Sequence, residues 1–308
     1  MKIWNFLALI VSAIALLAIS LWMGQQAYSW FPPQAAAESH LIDELFSFLV
    51  VLGTFIFLGV TGTLTYSIIF HRAAIDDTSD GPPIEGNITL EVVWTAIPIL
   101  LVVWIATYSY QVYDKMSIRG PMEMVHLHMP QAIEPASAAP WDWSSKPTEP
   151  QIDSDEPIKV IAKQWAWVFQ YPYKSVTSTE LHLPVNQRVH LALESADVLH
   201  GFYIPAFRLK QDIIPKHTID FEFTPIREGK YNLTDSQFSG TYFAAMTANV
   251  VVESLEDYKT WLVKAADQKP SPAPNQAAAE YTKESQKTFK NGYPTVVPAP
   301  PQMVNYPG

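Results

Sequence analysis

The chain has 308 residues, a formal net charge of −10 at pH 7 and no cysteine. The absence of cysteine excludes disulfides, zinc fingers, iron–sulfur clusters and copper sites built on thiolates. The acidic balance argues against nucleic acid as a partner, because a phosphate-binding protein needs a positively charged surface.

Three apolar segments in the first third of the chain are long enough to cross a membrane. Residues 4–23 form an uncharged run of about twenty residues, enough for a helix that spans a hydrocarbon core of roughly 30 Å. Residues 1–24 are therefore either an export signal or a first transmembrane helix. Residues 45–70 carry no charge and are too long for an export signal, and residues 92–108 contain a proline that a transmembrane helix tolerates. We expect residues 41–114 to form a transmembrane helical hairpin.

The membrane topology is the same for both interpretations of the first segment. If that segment is retained, Lys2 keeps the N-terminus in the cytoplasm and three crossings place the chain after Asp114 outside. If it is cleaved, the new N-terminus is already outside and two crossings return the chain there. Both routes predict an integral membrane protein with its C-terminal domain outside the cytoplasm, which in a bacterium is the periplasmic side of the cytoplasmic membrane.

Residues 115–157 show little periodicity and are rich in proline, serine and acidic side chains, which predicts a loop insertion. Within it, methionine and histidine side chains that could bind copper weakly are clustered: Met122, Met124, His126, His128 and Met129. The same run alternates as an edge strand does, so the sequence leaves copper binding and strand formation both open.

Residues 158–253 alternate between apolar and polar side chains over several segments of strand length, separated by proline, glycine and asparagine. Several short strands within about one hundred residues predict a β-sandwich with Greek-key connections. The expected fold class is a membrane-anchored all-β protein with two or three N-terminal transmembrane helices. A helix is expected over residues 254–267, where Ser254 is a suitable N-cap. The proline-rich tail, residues 268–308, predicts disorder or an extended strap, with a short helix near residues 281–290.

Five strings occur in the order in which one protein family has them: GPPIEGN, LEVVWTAIP, AKQWAWVFQYP, DVLHGFYIPAFRLKQD and the run from Gly240 to Met246. On these strings the chain resembles subunit II of the haem-copper terminal oxidases, over roughly residues 41–267. The resemblance implies a cupredoxin-like exported domain, and subunits I and III as partners, with the haems and CuB in subunit I. In the cytochrome c oxidases of this family, the domain holds a dinuclear copper centre, CuA, which takes electrons from cytochrome c.

The CuA motif of that family is only partly present here. The family has a histidine in the DVLH string, then Cys-x-x-x-Cys-x-x-x-His-x-x-Met, with a glutamate between the cysteines that contributes its backbone carbonyl. On this sequence the motif maps onto two matching and four changed positions: His200 and Met246 match, Asp235 and Ser239 replace the cysteines, Phe243 replaces the histidine and Gln237 replaces the glutamate. We interpret these six as lapsed CuA positions, because a carboxylate or hydroxyl cannot replace a thiolate that bridges two copper ions. A single copper ion on His200, Asp235 and Met246 stays open as the alternative.

A sandwich of this kind without the copper ligands resembles the quinol-oxidising branch of the family and the alternative subunit II of cyanobacterial oxidases. The resemblance implies a subunit of a proton-pumping oxidase that reduces oxygen to water, with electrons from a membrane quinol that enter at subunit I. The chain itself would then hold no cofactor, no metal and no catalytic residue. Two alternatives stay open: a subunit II that serves a soluble donor such as cytochrome c without CuA, and an anchored copper-binding module that is not an enzyme subunit.

Glu91 lies at the cytoplasmic end of the last apolar segment, where an ionisable residue indicates an ion pathway. The resemblance implies that a glutamate at this position forms the entrance of the K proton channel, whose remaining length is in subunit I. The other interpretation is a carboxylate at a helix N-terminus that is stabilised by the helix dipole and faces water.

Trp165 and Trp167 are two residues apart, so we expect them to share one face of a strand. The resemblance places electron entry from cytochrome c at the first aromatic residue of this string. Without CuA that role loses its target, and packing inside the sandwich is favoured. The resemblance implies that Arg208 and Asp212 pair near haem propionates at the interface with subunit I; the other interpretation is a solvated strand end.

Overall fold

The computed structural model describes residues 3–72, 86–116, 156–286 and 296–308. The methionine and histidine run at residues 122–129 lies outside the described residues, as does most of the predicted insertion. The chain divides into two compact units. One contains Met1–Pro32 and His40–Met116, and the other contains Pro33–Ser39 and the chain from Ser117 onward.

The first unit consists of three long apolar helices, α1 (Ile3–Ala27), α2 (Ala37–Phe70) and α3 (Ile88–Met116). Each is long and apolar enough to cross a membrane, with a mean hydropathy of at least 2.2 over its candidate span. Their apolar side chains are largely exposed. Such surfaces suit lipid or neighbouring subunits, because a helix satisfies its own backbone hydrogen bonds in the membrane.

α1 and α2 pack closely at a site of small side chains. The hydroxyl of Ser47 in α2 donates a hydrogen bond to the carbonyl oxygen of Gly24 in α1, at 2.9 Å. A Cβ at Gly24 would overlap the side chain of Val51 and would lie 3.1 Å from the Ser47 carbonyl oxygen. Glycine therefore permits this close approach, which is typical of membrane helix pairs. The first apolar segment is thus a packed helix of this unit.

The second unit is a β-sandwich. Its ten strands are, in chain order, β1 (Ile158–Lys163), β2 (Ala166–Gln170), β3 (Thr177–Ser178), β4 (Leu181–Pro184), β5 (Val189–Ser195), β6 (His200–Ile204), β7 (Leu209–Ile213), β8 (Thr218–Phe223), β9 (Gly229–Asp235) and β10 (Thr247–Glu253). They form two five-stranded sheets with the orders β3-β2-β1-β5-β8 and β4-β10-β9-β6-β7. The chain moves between the sheets several times, and β1 pairs in parallel with β5 as β4 does with β10. The predicted fold class is confirmed.

The core of the sandwich follows from the alternation of side chains along the strands. In β1, β2 and β10 every second residue is buried. Phe169, Phe202, Phe221 and Leu233 have no exposed surface and come from both sheets. Burial of large apolar side chains is the main stabilising contribution, at about 1.5–3 kcal/mol for each.

Trp165 and Trp167 do not share a strand, contrary to the expectation from their spacing. β1 ends at Lys163 and β2 begins at Ala166, so Trp165 lies in the turn of an antiparallel hairpin and only Trp167 lies in β2. The sequence between the two strands is Gln164-Trp165, without the glycine, proline or asparagine that usually marks a hairpin turn. The lack of a turn residue concealed the turn.

The segment Pro33–Ser39 belongs to the sandwich unit although it precedes most of α2. The backbone N–H of Ala35 donates to the carbonyl oxygen of Ala206 at 3.1 Å, and that of Ala37 donates to Thr224 at 2.9 Å. Glu38 accepts a hydrogen bond from Arg188 at 2.6 Å. The connection between α1 and α2 is therefore packed as part of the sandwich unit.

After the sandwich the chain continues through α4 (Leu255–Ala266), β11 (Ser271–Pro272), α5 (Gln276–Ser285) and β12 (Met303–Val304). α4 occupies the segment in which the sequence predicts a helix, and the Ser254 hydroxyl accepts from the N–H of Asp257 at 3.1 Å. The short helix of the tail begins earlier than expected, because Asn275 caps it and accepts from the N–H of Ala278 at 3.0 Å. For the tail, the sequence predicts either disorder or an extended strap, and the described parts form an extended strap.

Candidate functional site

The six positions that align with the CuA motif lie together at one end of the sandwich. His200 is the first residue of β6 and Asp235 is the last residue of β9. These strands are antiparallel neighbours, and Phe202 is aligned with Asp235 in their register. The remaining positions, Gln237, Ser239, Phe243 and Met246, lie on the connection from β9 to β10. The fold therefore assembles the site from parts that are about 35 residues apart in the chain.

The imidazole of His200 is buried between two carboxylates. Its Nδ1 lies 2.7 Å from Oδ2 of Asp235, and its Nε2 lies 2.9 Å from Oδ1 of Asp197. The side chain of His200 has 0% of its surface exposed. Each ring nitrogen thus faces an acceptor, and only the doubly protonated imidazolium donates to both. We call Asp197, His200 and Asp235 the Asp-His-Asp triad.

Asp235 is the centre of the hydrogen-bond network at this site. Beside His200, its carboxylate accepts from the backbone N–H of Gly201 at 2.7 Å, from that of Gln237 at 3.0 Å and from the Ser239 hydroxyl at 2.7 Å. The side chain of Asp235 is fully buried. Hydrogen bonds to the ionised form offset the loss of hydration that burial causes, so the carboxylate stays charged.

The pKa values of the two central groups shift in opposite directions. Burial alone would lower the pKa of the His200 imidazole, but its hydrogen bonds to Asp235 and Asp197 outweigh burial and raise that pKa. Burial alone would raise the pKa of the Asp235 carboxyl, but the donors His200, Gly201 and Ser239 lower it. Both shifts favour the ion pair of His200 and Asp235.

We expect the triad to contribute most to the free energy of unfolding in weakly acidic solution. Because its pKa is raised, His200 contributes stability that is complete below its unfolded pKa of about 6.5 and is lost as the pH rises through the folded value. Because its pKa is lowered, Asp235 contributes stability that is present above its unfolded pKa of about 3.9 and is lost as the pH falls through the folded value. We expect the contribution of the pair to be greatest between about pH 4 and pH 6.5.

Urea unfolding of the wild type and of His200→Asn over a range of pH measures this contribution. The difference between the two free energies of unfolding should decrease as the pH rises above the folded pKa of His200. A difference that grows towards alkaline pH would show that the imidazole is buried in its neutral form.

Both tryptophans are hydrogen-bonded to the connection from β9 to β10. The indole N–H of Trp165 donates to the carbonyl oxygen of Ser239 at 3.2 Å, and that of Trp167 donates to the carbonyl oxygen of Met246 at 3.2 Å. Gln164 donates to the same Ser239 oxygen at 2.6 Å. Both tryptophans are 2% exposed. These hydrogen bonds fix two of the six positions, Ser239 and Met246, through their backbone carbonyl oxygens.

The side chains of Gln237 and Phe243 make contacts with other protein side chains. The amide of Gln237 donates to the carboxylate of Asp212 at 2.8 Å. The ring of Phe243 lies edge-on to that of Phe238, with centroids 5.2 Å apart, and Phe238 is 77% exposed. The histidine position of the family thus holds part of an aromatic pair that reaches the surface.

The structure brings Asp212 to this site but leaves Arg208 elsewhere. Gly201 is aligned with Asp212 in the β6–β7 hairpin, so Asp212 lies near the triad. Arg208 lies at the other end of β7, in a left-handed conformation with φ of 58°, and its guanidinium donates to the carbonyl oxygen of Pro205 at 2.9 Å. Glu91 belongs to a separate location, the first turn of α3, where it is exposed in the isolated chain.

Asp197 is the residue of the triad that the sequence pattern did not reveal. It stands three residues before His200 in the DVLH string, a spacing that was available as a signal. Its other carboxylate oxygen accepts from the N–H of Gln164 at 2.8 Å, which ties the triad to the hairpin turn. Within the ranges that the structure describes, no group of three or more His, Cys, Asp and Glu side chains has the arrangement of a metal site.

Comparisons with known proteins agree with this architecture. The family model for the transmembrane domain of cytochrome c oxidase subunit II matches residues 20–112, and the model for its periplasmic domain matches residues 175–255. Cytochrome c oxidase subunit 2 of Synechocystis sp. is 34% identical over 297 residues, which cover 91% of this chain and 87% of that protein. Quinol oxidase subunit 2 of Bacillus subtilis is 26% identical over 243 residues, which cover 77% and 65%.

Among solved structures, the periplasmic domain of cytochrome oxidase subunit II of Bradyrhizobium japonicum is 26% identical, with a TM-score of 0.34. The match covers 36% of this chain and 93% of that domain. The predicted resemblance and the predicted location, an integral membrane protein with a periplasmic C-terminal domain, are confirmed. The chain belongs to the subunit II family of the haem-copper oxidases, which carries a cupredoxin-like domain behind its transmembrane helices.

Proposed function

We propose that this chain is a subunit II without CuA, in a proton-pumping haem-copper oxidase that reduces oxygen with electrons from a membrane quinol. The observation that carries the proposal is the Asp-His-Asp triad. The Nδ1 of His200 points at Asp235, the position of the first thiolate in the family, and a carboxylate accepts its hydrogen bond there. A charged hydrogen-bond network lies at the position that CuA occupies in the cytochrome c oxidases of the family.

The residues at the site do not fit a dinuclear copper centre. Such a centre needs two thiolates that bridge the copper ions, and the chain has no cysteine. The corresponding side chains, Asp235 and Ser239, are hydrogen-bonded to each other at 2.7 Å. A single copper ion on His200 would have to displace the hydrogen bond from Nδ1 to Asp235, which buries an imidazolium against a carboxylate. We infer that the triad stabilises the sandwich in place of the metal.

A sandwich without a redox centre cannot relay electrons to subunit I. A donor that is dissolved in the membrane can reach the haems and CuB of subunit I without passing through the periplasmic domain. A membrane quinol is such a donor. The similarity to a relative named quinol oxidase subunit 2 supports a quinol as the donor. The domain then serves assembly and covers subunit I, with subunit III as a further partner. Asp212, at the same end of the sandwich, is proposed to face subunit I, and Arg208 is proposed for the same interface.

A soluble donor is the second candidate, because the Synechocystis relative is named cytochrome c oxidase subunit 2. Oxygen uptake by the purified complex separates the two candidates. We expect rapid turnover with a short-chain quinol and no comparable turnover with reduced cytochrome c. Turnover with cytochrome c alone would overturn the proposal. Isolation of the chain without a haem subunit would instead indicate an anchored module outside an oxidase.

Glu91 is proposed as the proton entrance that this chain adds to the channel of subunit I. It lies in the first turn of α3, directly after a cap in which Asn87 accepts from the N–H of Leu90 at 3.2 Å. An exposed carboxylate at the cytoplasmic end of a membrane helix collects protons from water. Glu91→Gln keeps the size and removes the charge, so we expect quinol turnover to fall severalfold while the assembled complex stays intact.

The matched control for Glu91 is Glu228→Gln, which changes an exposed glutamate of the periplasmic sandwich. We expect this variant to keep wild-type turnover. If Glu91→Gln and Glu228→Gln have the same turnover, Glu91 is only a solvated carboxylate at a helix N-terminus.

A further inference from the structure

The C-terminal residues 268–286 and 296–308 form a segment that we call the C-terminal strap. It contains β11, α5 and β12, and β11 pairs with β12 in an antiparallel manner. Four of its apolar side chains are buried against the rest of the domain: Ala273, Ala277, Ala299 and Val304. Buried side chains at both ends of the segment show that the strap is part of the packed domain.

The strap is bonded to the hairpin turn that carries Trp165. The backbone N–H of Ala299 donates to the carbonyl oxygen of Gln164 at 2.8 Å. Asn275, the cap of α5, donates in turn to the carbonyl oxygen of Ala299 at 3.0 Å. Asn275, Gln276 and Gln302 line a small cavity together with Trp165 and Trp167. The strap therefore lies directly over the two tryptophans.

α5 also lies near Tyr242, the aromatic neighbour of Trp165. The rings of Tyr242 and Trp165 meet edge-on, with centroids 5.2 Å apart. Burial raises the pKa of the Tyr242 hydroxyl, and the carboxylates of Glu284 and Glu280 in α5 raise it further. The helix thus flanks the second side of the Trp165 surface.

The far end of the strap is fixed at the edge of a sheet. Tyr306 pairs in parallel with Ser178 of β3, through hydrogen bonds of 3.0 Å to Thr177 and 3.2 Å from Thr179. The amide of Asn305 accepts from the N–H of Thr177 at 3.1 Å and donates to the carbonyl oxygen of Gln268 at 2.9 Å. These bonds close the strap on itself and cover an edge strand that would otherwise be open to pairing.

We propose that the C-terminal strap is a steric cover that keeps soluble proteins from docking on the surface above Trp165. This inference goes beyond the proposed function, in which a soluble donor is already excluded because the sandwich has no redox centre. Transient electron-transfer complexes bury less than about 1,200 Å² in total, or about 600 Å² on each partner. The helix α5 begins at the cavity beside Trp165 and passes near Tyr242, and with a diameter of about 10 Å including side chains it would separate a docked protein from the indole.

The test uses the absence of cysteine from the chain. Ala166→Cys introduces one thiol on β2, at a residue that lines the cavity beneath the strap. In the detergent-solubilised complex we expect a bulky polyethylene-glycol maleimide to label this thiol slowly. Addition of Ala277→Arg, which places a guanidinium at a fully buried position of α5, should detach the strap and raise the labelling rate by about tenfold or more.

Ala279→Arg is the matched control, because it makes the same change on the exposed face of α5 and should leave labelling slow. Ala299→Pro is a second variant that removes only the N–H that bonds to Gln164. It should raise labelling without a charge inside the domain. Equal labelling rates in the wild-type background and in both detaching variants would overturn the inference.

Donor oxidation by the same complexes separates this inference from the proposed function. Quinol turnover should be unchanged in Ala277→Arg, since the strap is far from the quinol in this scheme. If the wild-type complex oxidises cytochrome c rapidly, the proposed function fails whatever the labelling rates are. Cytochrome c that protects the introduced thiol in the wild-type background would contradict the cover itself.

Discussion

Asp235→Ala is expected to lower the free energy of unfolding of the subunit by about 3–5 kcal/mol, because it leaves a buried cation without its partner. The His200 imidazolium has no exposed surface and would lose the carboxylate at 2.7 Å from its Nδ1. The N–H groups of Gly201 and Gln237 and the Ser239 hydroxyl would lose their acceptor as well. Urea unfolding of the full chain in detergent, followed by circular dichroism of the sheets, measures the loss.

The domain offers a matched control for this substitution. Asp220 on β8 also lies 2.9 Å from a histidine nitrogen, that of His190 on β5, but its side chain is 51% exposed. A pair in water contributes little, so Asp220→Ala should cost less than about 1 kcal/mol. Similar losses for Asp220→Ala and Asp235→Ala would show that burial of the triad has no special role.

Restoration of the four changed positions should convert the site into a copper centre. The variant combines Asp235→Cys, Gln237→Glu, Ser239→Cys and Phe243→His, and it keeps His200 and Met246. The side chains at positions 235 and 239 already lie within hydrogen-bond distance of each other, at 2.7 Å, and Nδ1 of His200 points at position 235. Two thiolates placed there would be adjacent, as a bridge between two copper ions requires. We expect the variant to bind a copper pair and to become purple.

The control for this restoration carries the same four changes together with His200→Ala. Loss of the imidazole should prevent formation of the copper pair, because one of the two histidine ligands of the motif is then missing. If the four changes leave the protein colourless after copper is added, the backbone of the connection from β9 to β10 has diverged along with the ligands.

The fold follows from the sequence where the signals are local. The three membrane helices are predicted from apolar length alone, and the alternation in β1, β5, β8, β9 and β10 reveals those strands. The hairpin of β6 and β7 was not evident, because its turn uses Arg208 in a left-handed conformation that glycine usually supplies. The turn at Trp165 was concealed for the same reason, a missing turn residue.

The candidate site was predicted only in part. A comparison of motif positions identifies His200, Asp235 and Ser239, but it does not reveal what replaces the metal. The triad depends on contacts between β6 and β9 and on Asp197, and no local pattern encodes which acceptor a buried histidine finds. The path of the strap over Trp165 likewise depends on residues more than one hundred positions away in sequence, such as the bond from Ala299 to Gln164.

Whether the wild-type subunit can form CuA is decided by electron paramagnetic resonance of the purified protein after incubation with copper and removal of the excess. We expect no spectrum of a mixed-valence copper pair, because the chain supplies no bridging thiolate and the Asp-His-Asp triad occupies the site. The multiline spectrum of such a pair from the wild-type chain would contradict this expectation.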